Sequence, residues 1–195
     1  MQAFAALSFG KVKLRPLARR DWRILQQLLE ADRDWLRPWE ASTPGIRYPV
    51  NARSMVSNLL YHQRRQTGLA FVILYQGQVV GQLNVANILH GSVSSATIGY
   101  WIAKDYAGRN ITPYAVALAI DYLFDSLALH RVEIDIRPEN TPSIRVVEKL
   151  GLRKEGLKER FIHIDGAWRD HFVFAITREE RSDTMLNRLA NTHLK

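Results

Sequence analysis

Twice in succession this chain runs from an apolar strand through a polar loop into a helix, and no other feature restricts its fold as much. The first unit is a strand from Ala96 to Ala103, the small loop Ala107-Gly108-Arg109-Asn110-Ile111, and a helix. Thr112 reads as the cap of that helix and Pro113 as its first residue, where a missing N–H costs nothing. Val116, Ala119, Ile120 and Leu123 form its apolar face. In the second unit Val132, Ile134 and Ile136 alternate along a strand from Arg131 to Arg137. A short helix follows from Pro142 to Leu150, ended by Gly151.

The remaining segments fit around these units. Val12 to Leu17 reads as a strand, and Asp21 can cap a helix carrying Ile24, Leu25, Leu28 and Leu29 on one face. The stretch Trp35-Leu36-Arg37-Pro38-Trp39-Glu40, leading to Tyr48-Pro49, reads as too proline-broken for a regular element. Its aromatic residues either pack on the core or line a pocket. A helix from Asn51 to Gln66 precedes a hairpin of Leu69 to Tyr75 and Gln78 to Ile88 about the Gln76-Gly77 turn. Two further strands, Phe161–Ile164 and Trp168–Ile176, flank the Asp165-Gly166 turn. The whole reads as one α+β domain over residues 1–177 with an antiparallel majority, followed by a polar tail, 178–195, that can form a helix.

Composition excludes several classes. The chain has 195 residues, 47% of them hydrophobic, which is enough to bury an ordinary core. With 0 Cys there is no disulfide framework, thiolate zinc site or cysteine nucleophile. No apolar run approaches the roughly 18 residues of a membrane span. Met1 to Lys13 lacks the charged-then-apolar order of a signal peptide, so a cytoplasmic enzyme or binding protein is expected. Lys and Arg number 27 against 19 Asp and Glu, a net charge of +8 that favours polyanionic partners such as RNA, the ribosome or a phosphorylated cofactor.

The loop Ala107–Ile111 can hold a phosphate. Free N–H groups at a helix start and the helix dipole suit an anion, Gly108 permits close approach, Asn110 tolerates a left-handed backbone and Arg109 adds charge. An ordinary strand–helix connection fits the same residues. The loop is neither a Walker loop nor a dinucleotide fingerprint. The later run Asn140-Thr141-Pro142-Ser143, continuing through Glu148-Lys149-Leu150-Gly151-Leu152 to Glu155-Gly156, resembles the second acetyl-CoA motif of the GCN5-related N-acetyltransferases (GNAT). Leu152 stands for that motif's usual Phe. Trp35-Leu-Arg-Pro-Trp-Glu40, Ile98-Gly-Tyr-Trp101 and Asp165-Gly-x-Trp-Arg-Asp-His171 are similar to the RimJ/RimL branch, nearer its RimJ side, which acetylates the N-terminal α-amines of ribosomal proteins. The likeness covers Val12 to Ile176.

The resemblance implies a GNAT fold: a mixed, mostly antiparallel central sheet of about seven strands, splayed at the cofactor site and flanked by helices. It implies acetyl-CoA as co-substrate, with no metal. Trp101 and Ile102 would offer backbone hydrogen bonds to its pantetheine, Gly108, Arg109, Asn110, Ile111 and Thr112 would hold its pyrophosphate, and Asn140 and Ser143 would flank the pantetheine and sulfur. The family loop usually has Gln before its first glycine and a second Gly or Ala, where this chain has Ala107 and Asn110.

The resemblance further implies direct attack of a neutral amine on the thioester. Base candidates are Glu133, Asp135, Glu40 and His171, with Glu133 preferred; some relatives carry a Glu where Ile162 stands here. No Tyr lies between Glu139 and Leu150, so Ser143 is the hydroxyl that can protonate the leaving thiolate. Trp35, Trp39, Glu40, Tyr100, Trp168 and His171 would bind the acceptor. A protein α-amine, with a pKa of about 7.7–8.0, is already roughly a tenth neutral near pH 7, so a modest base is enough. The expected acceptor is a protein N-terminus, such as that of a ribosomal protein, with a basic surface suited to ribosome association; the enzyme would be a monomer or homodimer without membrane contact. The alternatives are a small-molecule amine acceptor, or a non-catalytic ribosome- or RNA-binding relative.

Overall fold

The computed structural model describes residues 6–46 and 49–192; Tyr48, residues 1–5 and Leu194 therefore lie outside the described residues. Eight strands form a single sheet: β1 (Leu7–Phe9), β2 (Val12–Pro16), β3 (Leu69–Tyr75), β4 (Gln78–Leu89), β5 (Ser95–Ile102), β6 (Arg131–Ile136), β7 (Arg153–Ile164) and β8 (Ala167–Thr177). Their spatial order is β1-β2-β3-β4-β5-β6-β8-β7, antiparallel throughout except for the parallel pair β5/β6. The expected count of about seven is corrected by β1, three residues too short to show a period.

The helices are α1 (Trp22–Ala31), α2 (Arg33–Leu36), α3 (Ala52–Arg64), α4 (Ile111–Asp125), α5 (Thr141–Lys149) and α6 (Met185–Thr192). β3 explains why both faces of the sheet are covered. Its residues are apolar on both sides: Leu69, Phe71 and Ile73 pack in the core beneath α4, while Ala70 and Val72 pack with Leu25 and Leu29 of α1 and Val56 of α3. α4 is buried almost all round rather than along one stripe, with Ala115, Ala117 and Leu118 as inaccessible as the expected Val116, Ala119, Ile120 and Leu123. α5 and α6 supply the second wall: α6 brings Met185 and Leu189 into the same core, so the segment expected as a polar tail is part of the packed domain.

Several local expectations are revised. The segment around Trp35 is regular after all, a turn of α2 followed by a 3-10 turn over Arg37–Trp39 that accommodates Pro38. α4 begins two residues earlier than expected, with Asn110 at its cap position and Pro113 third, still within the turn whose N–H groups have no partner in the helix. Asp21 occupies the cap position of α1 without bonding its amides. Its carboxylate instead accepts from Arg15 at 2.8 and 3.0 Å and from the Ala18 amide at 2.7 Å. β7 starts eight residues before Phe161 because it pairs along β8 as the sheet's edge, where charged residues are stable and hide the strand from a hydrophobic pattern.

Candidate active site

The site arises where β5 and β6 part. They are paired only at Ser95–Arg131, Ala96–Val132 and Thr97–Glu133, although β5 continues to Ile102 and β6 to Ile136. From Ile98 onward β5 is paired with β4 on one side, and among the described residues no strand occupies the other. Between the diverging ends lies a cavity of about 190 Å³. Ile98, Gly99 and Tyr100 form one wall, Ile134, Asp135, Ile136 and Arg137 the other, and Asn140, Ser143, Ile162, Ile164, His171, Trp39 and Ala41 complete it.

Asn140 and Ser143 are placed by a local rule, the side-chain cap. Asn140 precedes α5 and its Oδ1 accepts the Ser143 amide at 3.2 Å, which fixes both residues at the cavity edge. The Tyr100 hydroxyl comes from β5 and lies 2.8 Å from Ser143 Oγ. Burial pushes the Tyr100 pKa well above its ordinary value, with the Ser143 hydrogen bond opposing this, so the phenol stays protonated. Two hydroxyls thus meet at the cavity edge, Tyr100 from β5 and Ser143 from α5.

His171 is 3% exposed, and its Nδ1 lies 3.0 Å from the Arg169 carbonyl. A proton on Nδ1 makes that contact a hydrogen bond and leaves the lone pair on Nε2. Burial lowers its pKa more than the neighbouring Asp135 raises it, so the ring is neutral near pH 7. Ile162, where some relatives carry an acid, is an apolar part of the same wall.

The other base candidates lie in different surroundings. Asp135 lines the cavity, but Lys158 Nζ binds its carboxylate at 2.9 and 3.1 Å. Glu133 sits at the last β5/β6 rung, 2.7 Å from Arg131 and 3.6 Å from Lys158, and is not part of the cavity wall. Glu40 pairs with Arg33 outside the cavity. Trp39 does reach the wall, with the Arg137 guanidinium 5.4 Å above its ring. Arg137, which no local motif marks, also donates to the Pro38 carbonyl at 2.6 Å, so it ties the front segment to the end of β6. Trp35 acts elsewhere, since its indole N–H donates to the Ile102 carbonyl at 3.1 Å and so anchors α2 on β5. Trp168 is 55% exposed on the β7–β8 hairpin, edge-on to His163.

Beyond the cavity, positive φ values of +74° at Gly108 and +58° at Asn110 turn the chain tightly into α4. Ile111 and Thr112 are buried beneath that turn. Arg109 stacks on Tyr106, and Lys149 Nζ contacts Asn110 Oδ1 at 2.5 Å, so two cations flank the amides at the start of α4. Among the described residues no three His, Asp or Glu side chains are grouped to hold a metal, and no helix is long and apolar enough to cross a membrane.

A sequence profile described as "Acetyltransferase (GNAT) domain" matches residues 11–153, which span both the open strand edge and the turn into α4. The chain belongs to the GNAT acetyltransferase family. The solved structure of Mycobacterium smegmatis RimJ in complex with CoA-disulfide is 38% identical, with a TM-score of 0.88, covering 97% of this chain and 93% of that one. The Escherichia coli [ribosomal protein uS5]-alanine N-acetyltransferase is 27% identical over 88% of this chain and 90% of its own length. Spermidine N(1)-acetyltransferase of Escherichia coli is 30% identical over 89% of each. Members of the family use acetyl-CoA, and the residues here fit it: an unpaired strand edge for an amide-bearing arm, a turned helix start with two cations for phosphates, and a cavity between them.

Proposed function

We propose that this acetyltransferase transfers the acetyl group of acetyl-CoA to the N-terminal α-amine of a protein, with ribosomal proteins as the first acceptor class. The charge of the cavity carries this reading. Among the described residues that line it the one carboxylate, Asp135, is tied to Lys158, and Arg137 stands on the same wall, so none of these residues is left to hold a polycation. A polyamine acceptor, suggested by the spermidine relative, would need such an anion. An α-amine needs only a weak base to become neutral. The likeness to RimJ and the net charge of +8 support an acceptor presented on a polyanionic assembly such as the ribosome.

When bound, acetyl-CoA supplies an activated acetyl group and a good leaving group. The open edge of β5 at Trp101 and Ile102 binds the pantetheine arm, and Gly108–Thr112 with Lys149 hold the phosphates. The Ile102 carbonyl already accepts from Trp35. His171 Nε2 accepts the proton that the attacking amine gives up, and Tyr100 with Ser143 donates one to the departing sulfur. The sequence favours Glu133 as the base; with Arg131 and Lys158 on it and the imidazole in the cavity, His171 is the better assignment. Ile98, Ile134, Ile136 and Ile162 keep bulk water from the reacting atoms.

Calorimetric titration of acetyl-CoA is expected to give micromolar binding, weakened at least about tenfold in Gly108→Trp, whose side chain covers the start of α4 at a left-handed position. Mass spectrometry should then find acetylation at the first residue of peptides and not on spermidine or lysine side chains. No binding at millimolar acetyl-CoA, or turnover confined to spermidine, would refute the reading. Removing both hydroxyls in Tyr100→Phe/Ser143→Ala should lower kcat by up to about 100-fold, and either single change by less, since each retains one donor.

A further inference from the structure

We propose that Lys158 is a positioning residue that keeps His171 uncharged by neutralising Asp135. The inference rests on the assignment of His171 as the base and identifies what controls it.

Lys158 and His171 are cross-strand partners on β7 and β8, and Asp135 on β6 faces Val173, two residues along β8 from His171. Opposed residues in antiparallel strands share a face, so all three side chains stand on one side of the sheet. From β7, Lys158 reaches across β8 to both Asp135 oxygens and to within 3.6 Å of Glu133. The Asp135 side chain is only 8% exposed, so its charge is poorly screened. Lys158 also lies 4.6 Å over the Phe161 ring, which is edge-on to His171 at 5.9 Å.

The charged groups acting on His171 are few. Asp135 and Glu139 favour the imidazolium and Arg137 opposes it, while the Arg169 carbonyl bonds Nδ1. Arg137 and Glu139 are themselves an ion pair at 3.1 Å and largely cancel. Asp135 is then the charge that decides, and Lys158 is the counter-ion bound to it. Without the lysine, an uncompensated carboxylate beside a buried ring would hold a proton on it, and a protonated base cannot accept another.

The test is NMR titration of the imidazole signals, with His171 assigned among the six histidines as the one lost in His171→Gln. In Lys158→Gln the His171 midpoint should rise by about 0.5 pH unit or more, in Lys158→Arg it should stay near that of the parent, and in Asp135→Asn it should fall. Lys158→Gln/Asp135→Asn should return it towards the parent value. An unchanged midpoint in folded Lys158→Gln overturns the inference, as does a lowered one. Should that variant not fold, a midpoint in Asp135→Asn that is unchanged or raised overturns it equally. The acid limb of kcat/KM separates the two assignments. A limb that moves with the NMR midpoint supports both, whereas an NMR shift with a fixed limb supports the electrostatic role of Lys158 and refutes His171 as the base.

Discussion

Gly81→Val is expected to destabilise the enzyme by at least about 3 kcal/mol, lowering its melting temperature by about 6–12 °C. Gly81 on β4 faces Ile102 on β5, and a Cβ built on it would lie 2.3 Å from the Trp101 carbonyl oxygen and 3.0 Å from Ile102 Cα. Both are backbone atoms, so no rotamer change can relieve the overlap, and β5 must move or unpair. That stretch of β5 is the open edge proposed to meet the pantetheine arm, and it is where Trp35 anchors α2 through the Ile102 carbonyl. Loss of stability should therefore come with loss of cofactor binding even below the melting transition. Gly156→Ala, whose added Cβ has nothing within 4 Å, serves as the control and should change the melting temperature little. Equal melting temperatures for Gly81→Val and the parent would show that β5 can yield at this point without cost.

His171→Gln should lower kcat by about 100-fold or more while leaving the affinity for acetyl-CoA nearly unchanged, because the ring is proposed to serve the acceptor amine and not the cofactor. Its pH dependence has a definite sign. Burial lowers the His171 pKa in the folded enzyme below the ordinary 6.5, so the base is free at pH 7 and is lost only as the pH falls below that value. The same shift acts on stability. Below about pH 6.5 the unfolded chain binds a proton that the folded chain refuses, so stability is intact above that pH and declines as the pH falls towards the folded value. His171→Gln removes this contribution, and its melting temperature should vary less with pH over that window. Stopped-flow transfer rates and melting curves across pH 5–8 would check both effects, and an unaltered acid limb in the variant would argue against His171.

The two strand–loop–helix units were legible because each rests on short-range rules. Apolar alternation at Val132, Ile134 and Ile136 has the strand period, and the Asn140-to-Ser143 spacing is that of a side-chain cap, which the structure forms. What escaped was governed by neighbours distant in sequence. β1 is too short to carry a period, and the first half of β7 is a charged edge that is a strand only because β8 lies beside it. The Trp35 segment, whose aromatic residues the sequence leaves between core packing and a pocket wall, divides its labour: Trp39 lines the cavity while Trp35 bonds to a carbonyl 67 positions later.

From the residues alone followed the α+β sheet with its helices, since periodicity, capping and left-handed turns act within a dozen or so residues; the family and acetyl-CoA as the donor followed from the resemblance of the run from Asn140 to Gly156 to the second acetyl-CoA motif. The tertiary structure alone decided the surroundings of the candidate bases. The sequence prefers Glu133 over Asp135 and His171, but burial makes the histidine a neutral imidazole and ion pairing occupies the two carboxylates. Tyr100 meets Ser143 across 43 positions for the same reason. Desolvation and the field of neighbouring charges depend on distances in space, and those exist only once β5 and β6 have parted.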